Sequence, residues 1–443
     1  MLWKLGKKPQ AEEIIIPMLD DYSGNLDLLQ LGAVVYLDKA ELKKAKALLR
    51  RIEDALGPQD RRVKELKYAV FLQEGRWNEA SGILQELIKQ APKDMALRRD
   101  YAFSLSAAGR WPQAKEQLGT LISQGERSKN TFWDYHNAVS RGSDGFFSQF
   151  EYLHGPQSLR HYTTTQGVRF WLKPELAATF GAVQETLRIR ALGDTPGISK
   201  QIYGNILKFD YAGIDSLQVL GQWKPVYMSG KTFNEEGFSL IYTKNNLRSV
   251  LGYDFNHLVR EPIQGLDKQG RLNHLEFSND ITFFDRLTLG NIYEVDWYRL
   301  KGEENQINGK KSLGYKIFSD TYFNTLILRD PYFSFNFHYK YTHWKKNFEG
   351  AEQVIDYIGD EKIYYGGIYL EKRIGKTWQV TGSFSRAYDA KRKFYYSLSN
   401  VAVEAWVKDG LKSSLAYEYD YDINGTTGAG NSGMITARLD WFF

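Results

Sequence analysis

The chain has 443 residues, 42% of them hydrophobic and 25% charged, with a net charge of +5. So small an excess over this length gives no concentrated basic face and argues against nucleic-acid binding. Cysteine is absent, which excludes disulfide frameworks, thiol catalysis and Cys-ligated metals, and the seven His show no metal-ligand spacing.

No apolar run approaches the 18 or so residues of a transmembrane helix. A mean hydropathy of −0.48 is still compatible with a membrane-spanning β-barrel, whose strands turn every second side chain to a wet interior. The opening "MLWKLGKKPQAEE" lacks the apolar core of a signal peptide, so an exported protein would be represented here by a mature form or a fragment.

Residues 9–128 carry the helical period. A helix is expected over 9–22, and 1–25 reads as a partial repeat or linker. The clearest internal repeat sets "EGRWNEA" at 74–80 against "AGRWPQA" at 108–114. Gly75 and Gly109, Trp77 and Trp111, Ala80 and Ala114, Leu84 and Leu118, and Leu87 and Leu121 all stand 34 residues apart. That period, with glycine turning between two helices, is the tetratricopeptide signature. Glycine ends the first helix of each pair, Pro112 suits the first turn of the second, and the alanines let paired helices approach closely. An earlier copy at about 26–59, with Ala33, Tyr36, Ala45 and Leu49, brings the total to about three repeats over 26–130. Groove positions on the first helices would be Asp27, Gln30, Arg62, Glu65 and Arg99, a surface for protein partners. A linker is expected over 131–145.

Beyond it the period falls to two. In "YFSFNFHYKYTH" at 332–343, Phe333, Phe335, Phe337, Tyr339 and Tyr341 share one face, and Ser334, Asn336, His338, Lys340 and Thr342 share the other. "LAYEYDYD" at 415–422 sets Leu415, Tyr417, Tyr419 and Tyr421 against Ala416, Glu418, Asp420 and Asp422. "VAVEAWVK" at 401–408 alternates as well. Many such segments exceed the usual soluble strand of about five or six residues and match a tilted membrane strand. Short turns ("KRIGKT" 372–377, "DAKRK" 389–393, "KDG" 408–410) alternate with long polar loops at 301–311, 347–361 and 423–433. This predicts an outer-membrane barrel over 146–443, with about 16 strands.

The chain ends on "MITARLDWFF". Ile435, Ala437, Leu439, Trp441 and Phe443 form a lipid face, and Thr436, Arg438 and Asp440 a wet one. This last strand must pair with the first, because no strand edge is tolerated in lipid. Candidate lumen residues are therefore Ser334, Asn336, His338, Lys340, Glu418, Asp420, Arg438 and Asp440.

No catalytic constellation survives weighing. "GTTGAG" at 425–430 lacks the Lys-Ser/Thr of a phosphate loop, no GxSxG is present, and the row Glu418, Asp420, Asp422 suits a hydrated wall better than acid–base chemistry. No enzyme, cofactor or metal is expected.

The "EGRWNEA"/"AGRWPQA" repeats, the alternating strands and the terminal "RLDWFF" together resemble the exopolysaccharide export porins of Gram-negative bacteria, of the cellulose, poly-N-acetylglucosamine and Pel types. The resemblance implies a C-terminal barrel of 16 strands in the outer membrane and a tetratricopeptide scaffold in the periplasm, here shorter than in the family. It implies export of a secreted polysaccharide, periplasmic proteins on the repeats, and outer-membrane lipid around the barrel. The terminal aromatics Trp441 and Phe443 resemble the signal read by the barrel assembly machinery. Competing readings are a surface-lipoprotein translocation barrel of about 14 strands, and a phage-receptor or structural outer-membrane protein.

Overall fold

The computed structural model describes the chain except residues 1–7, 23, 40, 156–158, 190–196, 215, 245, 260–269, 284–285, 301–311, 348–359, 409 and 422–431. The expected loop 301–311, and most of those at 347–361 and 423–433, lie outside the described residues. Among the described residues there are eight helices followed by sixteen strands, in two compact units, one of Met1–Ala138 with Gly213–Ser216 and one of Val139–Ala212 with Leu217–Phe443.

The helices are α1 (Lys8–Asp21), α2 (Leu26–Asp38), α3 (Leu42–Leu56), α4 (Arg61–Gln73), α5 (Trp77–Gln90), α6 (Met95–Ala107), α7 (Trp111–Ser123) and α8 (Lys129–Gly142). Asn25, Asp60 and Asp94 cap α2, α4 and α6 by accepting backbone N–H bonds with their side chains, a local signal that fixes where each first helix begins. Between the helices of two pairs, Gly75 and Gly109 adopt φ of 70° and 75°, the left-handed region that favours glycine. The repeated alanines and leucines form the core: Ala80, Leu84, Ala114 and Leu121 are fully buried. The segment 131–145, expected as a linker, holds most of α8, with Trp133, Ala138 and Val139 buried.

The strands are β1 (Gly145–His154), β2 (Arg160–Lys173), β3 (Leu176–Ile189), β4 (Ile198–Ile214), β5 (Leu217–Met228), β6 (Lys231–Lys244), β7 (Leu247–Leu258) and β8 (Gly270–Phe283). They continue with β9 (Leu287–Leu300), β10 (Ser312–Arg329), β11 (Tyr332–Lys346), β12 (Glu361–Ile374), β13 (Trp378–Asp389), β14 (Phe394–Lys408), β15 (Leu411–Tyr421) and β16 (Ser432–Phe442). Each pairs with its chain neighbours, and β1 pairs antiparallel with β16 from Gly145↔Phe442 to His154↔Gly433, closing the barrel. Closure leaves no unpaired strand edge, which hydrocarbon would not tolerate.

One barrel end carries connections of two or three residues, such as those after β2, β10 and β12; the other carries the long loops together with two short connections, after β5 and after β13, so the turn expected at 389–393 stands at the loop end and not with the other short turns. The exterior carries exposed apolar side chains in register: Phe146 pairs with Trp441, Val168 with Phe180, Phe335 with Ile368 and then Phe384, Tyr417 with Ile435. Trp378 and Trp441 stand outward near the short-turn end; Tyr203, Trp297, Tyr364 and Tyr395 stand outward toward the loops. Tyr and Trp at two levels, with Leu, Ile, Val and Phe between them, form the girdle pattern of a lipid-facing barrel.

Candidate functional site: the barrel interior

Positions that alternate with the lipid face turn inward, and there the strands carry charges in paired sets. Lys224 on β5 reaches past Gly204 to Glu185 on β3 (3.1 Å) and meets Glu235 on β6 (3.4 Å). Both carboxylates are almost fully buried, and Glu235 also accepts the Leu258 backbone N–H at 3.0 Å. On the next sector, Asp296 takes Lys316 and His274 Nδ1, each at 2.6 Å. Such sets are stable in a wall because every buried charge has an opposite partner.

Further round, Tyr322, His338 and Tyr365 stack across three strands, with ring centroids 5.1 and 4.1 Å apart. Tyr322 donates to Asp280, and His338 Nδ1 lies 3.0 Å from Asp320. Gly290 on β9 makes room for the first of these contacts: a Cβ there would strike both the Tyr322 ring and Asp280. Lys340 lies over the Tyr365 ring at 4.9 Å.

The predicted lumen residues fall into two groups separated by β12–β14. On β11, Ser334 is 1% exposed and packed into the wall, while Asn336, His338 and Lys340 are partly open. On β15 and β16, Arg438 donates to Asp440 (2.7 Å) and to Gln149 of β1 (3.1 Å), and Glu418 accepts from Asn400 at 3.1 Å. Asp420 borders a recess with Ser399, Asn400 and Glu418; Asp422 is outside the described residues. Trp441 and Phe443 are 59% and 73% exposed.

Two features of the interior escape hydropathy alternation. Leu187, Ile202, Val226, Met228, Phe233 and Leu258 form a buried apolar cluster at the loop ends of β3–β7. Val259, Tyr298, Leu300, Leu313 and Trp344 form a second on the following sector. The Glu185–Lys224–Glu235 set lies beside the first. Glu185 and Lys224 do occupy the alternate positions of their strands, but nothing local distinguishes them from a solvated face.

In the helical unit, the expected groove residues are joined by ion pairs. Arg62 donates to Asp27 (2.8 Å), Arg61 to Glu65 (2.7 Å), and Arg99 to Glu126. Among the described residues no side-chain hydrogen bond places Gln30. The Ser128 backbone N–H, and then Arg99, hold the Glu126 carboxyl below the usual carboxylate range. Burial raises the Tyr68 hydroxyl, and it raises the Asp100 carboxyl despite the hydrogen bond that Tyr68 gives it. Phe103 stands 57% exposed with Trp77 edge-on to it at 5.8 Å.

With this geometry in place, the comparisons can be read. A tetratricopeptide repeat model matches residues 71–129. No curated protein matches the sequence. A solved structure described as a bacterial polysaccharide outer membrane secretin aligns with a TM-score of 0.50 at 8% identity, over 67% of this chain and 98% of the other. Acinetobacter baumannii OccAB1 aligns at 0.39 and 9%, over 67% and 96%. A tetratricopeptide repeat protein from Parabacteroides merdae aligns at 0.27 and 16%, over 32% and 61%. The chain therefore joins tetratricopeptide repeats to a sixteen-strand barrel with the fold of outer-membrane proteins.

Proposed function

We propose that the protein is an outer-membrane porin that exports a secreted polysaccharide, with its repeats in the periplasm. The observation that carries this is the inner wall: a closed sixteen-strand barrel lined by paired charges, amides and hydroxyls, and preceded in the chain by a tetratricopeptide repeat module. Such a wall offers a hydrated sugar chain many exchangeable hydrogen bonds and no single deep well, as conduction requires. The fold likeness to a polysaccharide secretin supports the same reading. Sixteen strands favour it over a translocation barrel of about fourteen.

On β8–β10 the inward positions include Glu276, Asp280, Glu294, Asp296 and Asp320, with Lys316 and His274 among them. A wall of this sign favours a polymer of cationic character. The repeats recruit periplasmic partners or guide polymer to the pore, and the terminal Trp441 and Phe443 serve recognition by the barrel assembly machinery.

The test is deletion of the gene, with polysaccharide quantified outside the cell and in the periplasm. Polymer lost outside and trapped inside supports export and identifies the cargo. Unchanged polysaccharide with lipoproteins missing from the surface overturns it in favour of the translocon.

A further inference from the structure

The outward face of β2–β4 changes character in steps along the barrel. Register places Val168, Phe180 and Leu207 side by side, then Gln166, Ala182 and Asn205, then Thr164, Gln184 and Tyr203, and finally Arg160, Arg188 and Ser199 at the loop end. The order is therefore hydrocarbon, amide and hydroxyl, guanidinium. Gln166, Gln184 and Asn205 are exposed. Gln184 and Asn205 make no side-chain hydrogen bond among the described residues, and Gln166 only a long one to Ser148 (3.4 Å). Together with Thr164, Tyr203 and Tyr227 they line an outward groove of about 610 Å³. Unpaired amides facing acyl chains are costly unless something polar covers them.

Arg160 and Arg188 are direct register partners, exposed, and without an ion pair among the described residues. Two guanidinium groups side by side repel unless an anion lies between them, and they match phosphate in geometry. The remaining exterior has the same sign: among outward strand positions described, Glu236 is the one carboxylate, while Arg299, Lys345 and Lys362 join the arginines near the loop end. A second copy of this chain is a poor occupant, since a two-fold axis through the groove would set arginine pairs against each other.

We propose that this sector binds a phosphorylated glycolipid of the outer leaflet. Acyl chains lie on Val168, Phe180 and Leu207, sugar hydroxyls and amides meet the groove, and a phosphate sits on Arg160 and Arg188. The site rests on the outer-membrane placement proposed above and is independent of export, so either can fail alone.

The experiment titrates the purified full-length protein in detergent with hexa-acylated lipid A and counts bound lipid by native mass spectrometry. Heat-modifiable gel mobility verifies that each variant is folded. Arg160→Glu/Arg188→Glu should lower lipid A affinity about tenfold or more, the scale of losing charge-assisted hydrogen bonds, and Lys362→Glu on β12 should not. If the reversal does not fold, Arg160→Gln/Arg188→Gln replaces it with the same direction expected. Phosphatidylglycerol, which offers phosphate without the phosphorylated sugars, should bind more weakly than lipid A, and Gln184→Ala/Asn205→Ala should erase that preference. Equal lipid A binding by wild type and the arginine variants overturns the proposal. So does equal affinity for the two lipids, or disulfide formation between two copies in cells through Gln184→Cys.

Discussion

The two units bury opposite chemistries. Among the described residues of the helical unit the buried polar side chains are Ser81, Ser104, Thr131 and His136, with no carboxylate, Lys or Arg. In the barrel, Glu185, Glu235, Arg271, Asp296, Asp320, Asp389 and Asp440 are buried. Exposed large apolar side chains reverse the order: five in the helical unit and forty-one in the barrel, among the described residues. One chain thus applies one rule, apolar surface away from water, to two solvents. Burial alone does not say which residues hold a fold together; the medium on each side does.

The sharpest test of this contrast places the same charge once on each face of the barrel wall. Phe335→Arg, at an outward position, should cost the barrel about 2–4 kcal/mol and abolish its heat-modifiable mobility. Thr436→Arg, at an inward one, should leave that mobility intact. In the helical unit the matching experiment is Leu84→Ala. Leu84 is fully buried between repeats, so truncation should cost about 2–5 kcal/mol of the helical transition followed by circular dichroism, with barrel mobility unchanged.

Smaller effects separate glycines of different duty. Gly109 has φ of 75°, so Gly109→Ala should destabilise the helical transition by about 1 kcal/mol. Gly82 lies inside α5 with open space where a Cβ would go, so Gly82→Ala should stabilise it by about 0.5–1 kcal/mol. The opposite signs, read as shifts in the urea midpoint, would sink the assignment of Gly109 as a turn if they agreed instead.

The smallest expected effect is on pH. Lys44 holds Glu41, Lys64 holds Glu86, and Ser128 with Arg99 hold Glu126 below the usual range, all in the helical unit. A carboxyl lowered by folding contributes stability above its unfolded value, near pH 4.3, which is lost as pH falls through its folded value. The helical transition should therefore weaken slightly on acidification below about pH 5. Glu126→Gln should flatten that dependence in thermal melts, and an unchanged slope would discard the pair.

How far these contrasts were legible in the sequence depends on how cleanly side chains sort. β11 and β14–β16 are plain because most of their outward positions are Phe, Tyr, Val, Leu, Ile and Trp. On β2–β4 the outward positions include Thr164, Gln166, Gln184 and Asn205, so apolar alternation fades just where the exterior groove lies. The apolar cluster around Leu187 and Val226 fails differently: those residues point inward, and only the tertiary neighbourhood explains them. In the repeats, Gly75, Gly109 and the alanines fix turns and close approaches locally, so the period showed. The α8 segment carries Trp133 and Ala138 at core positions but no second glycine motif, and it reads as a linker until packing is seen. Ion pairs such as Asp27–Arg62, and the two-sided hold of Lys224 on Glu185 and Glu235, have no sequence signal at all.

The closing ladder between β1 and β16 has a consequence in time. Gln149 and Arg438 touch across 289 residues of chain, whereas each helical hairpin is complete within a few dozen. Local pairings form early and long-range ones late. As the chain folds, the repeats can therefore reach their final form one after another, yet the first strand waits without its partner until β16 arrives. Through that interval a row of unsatisfied backbone groups on β1 is open to any passing strand.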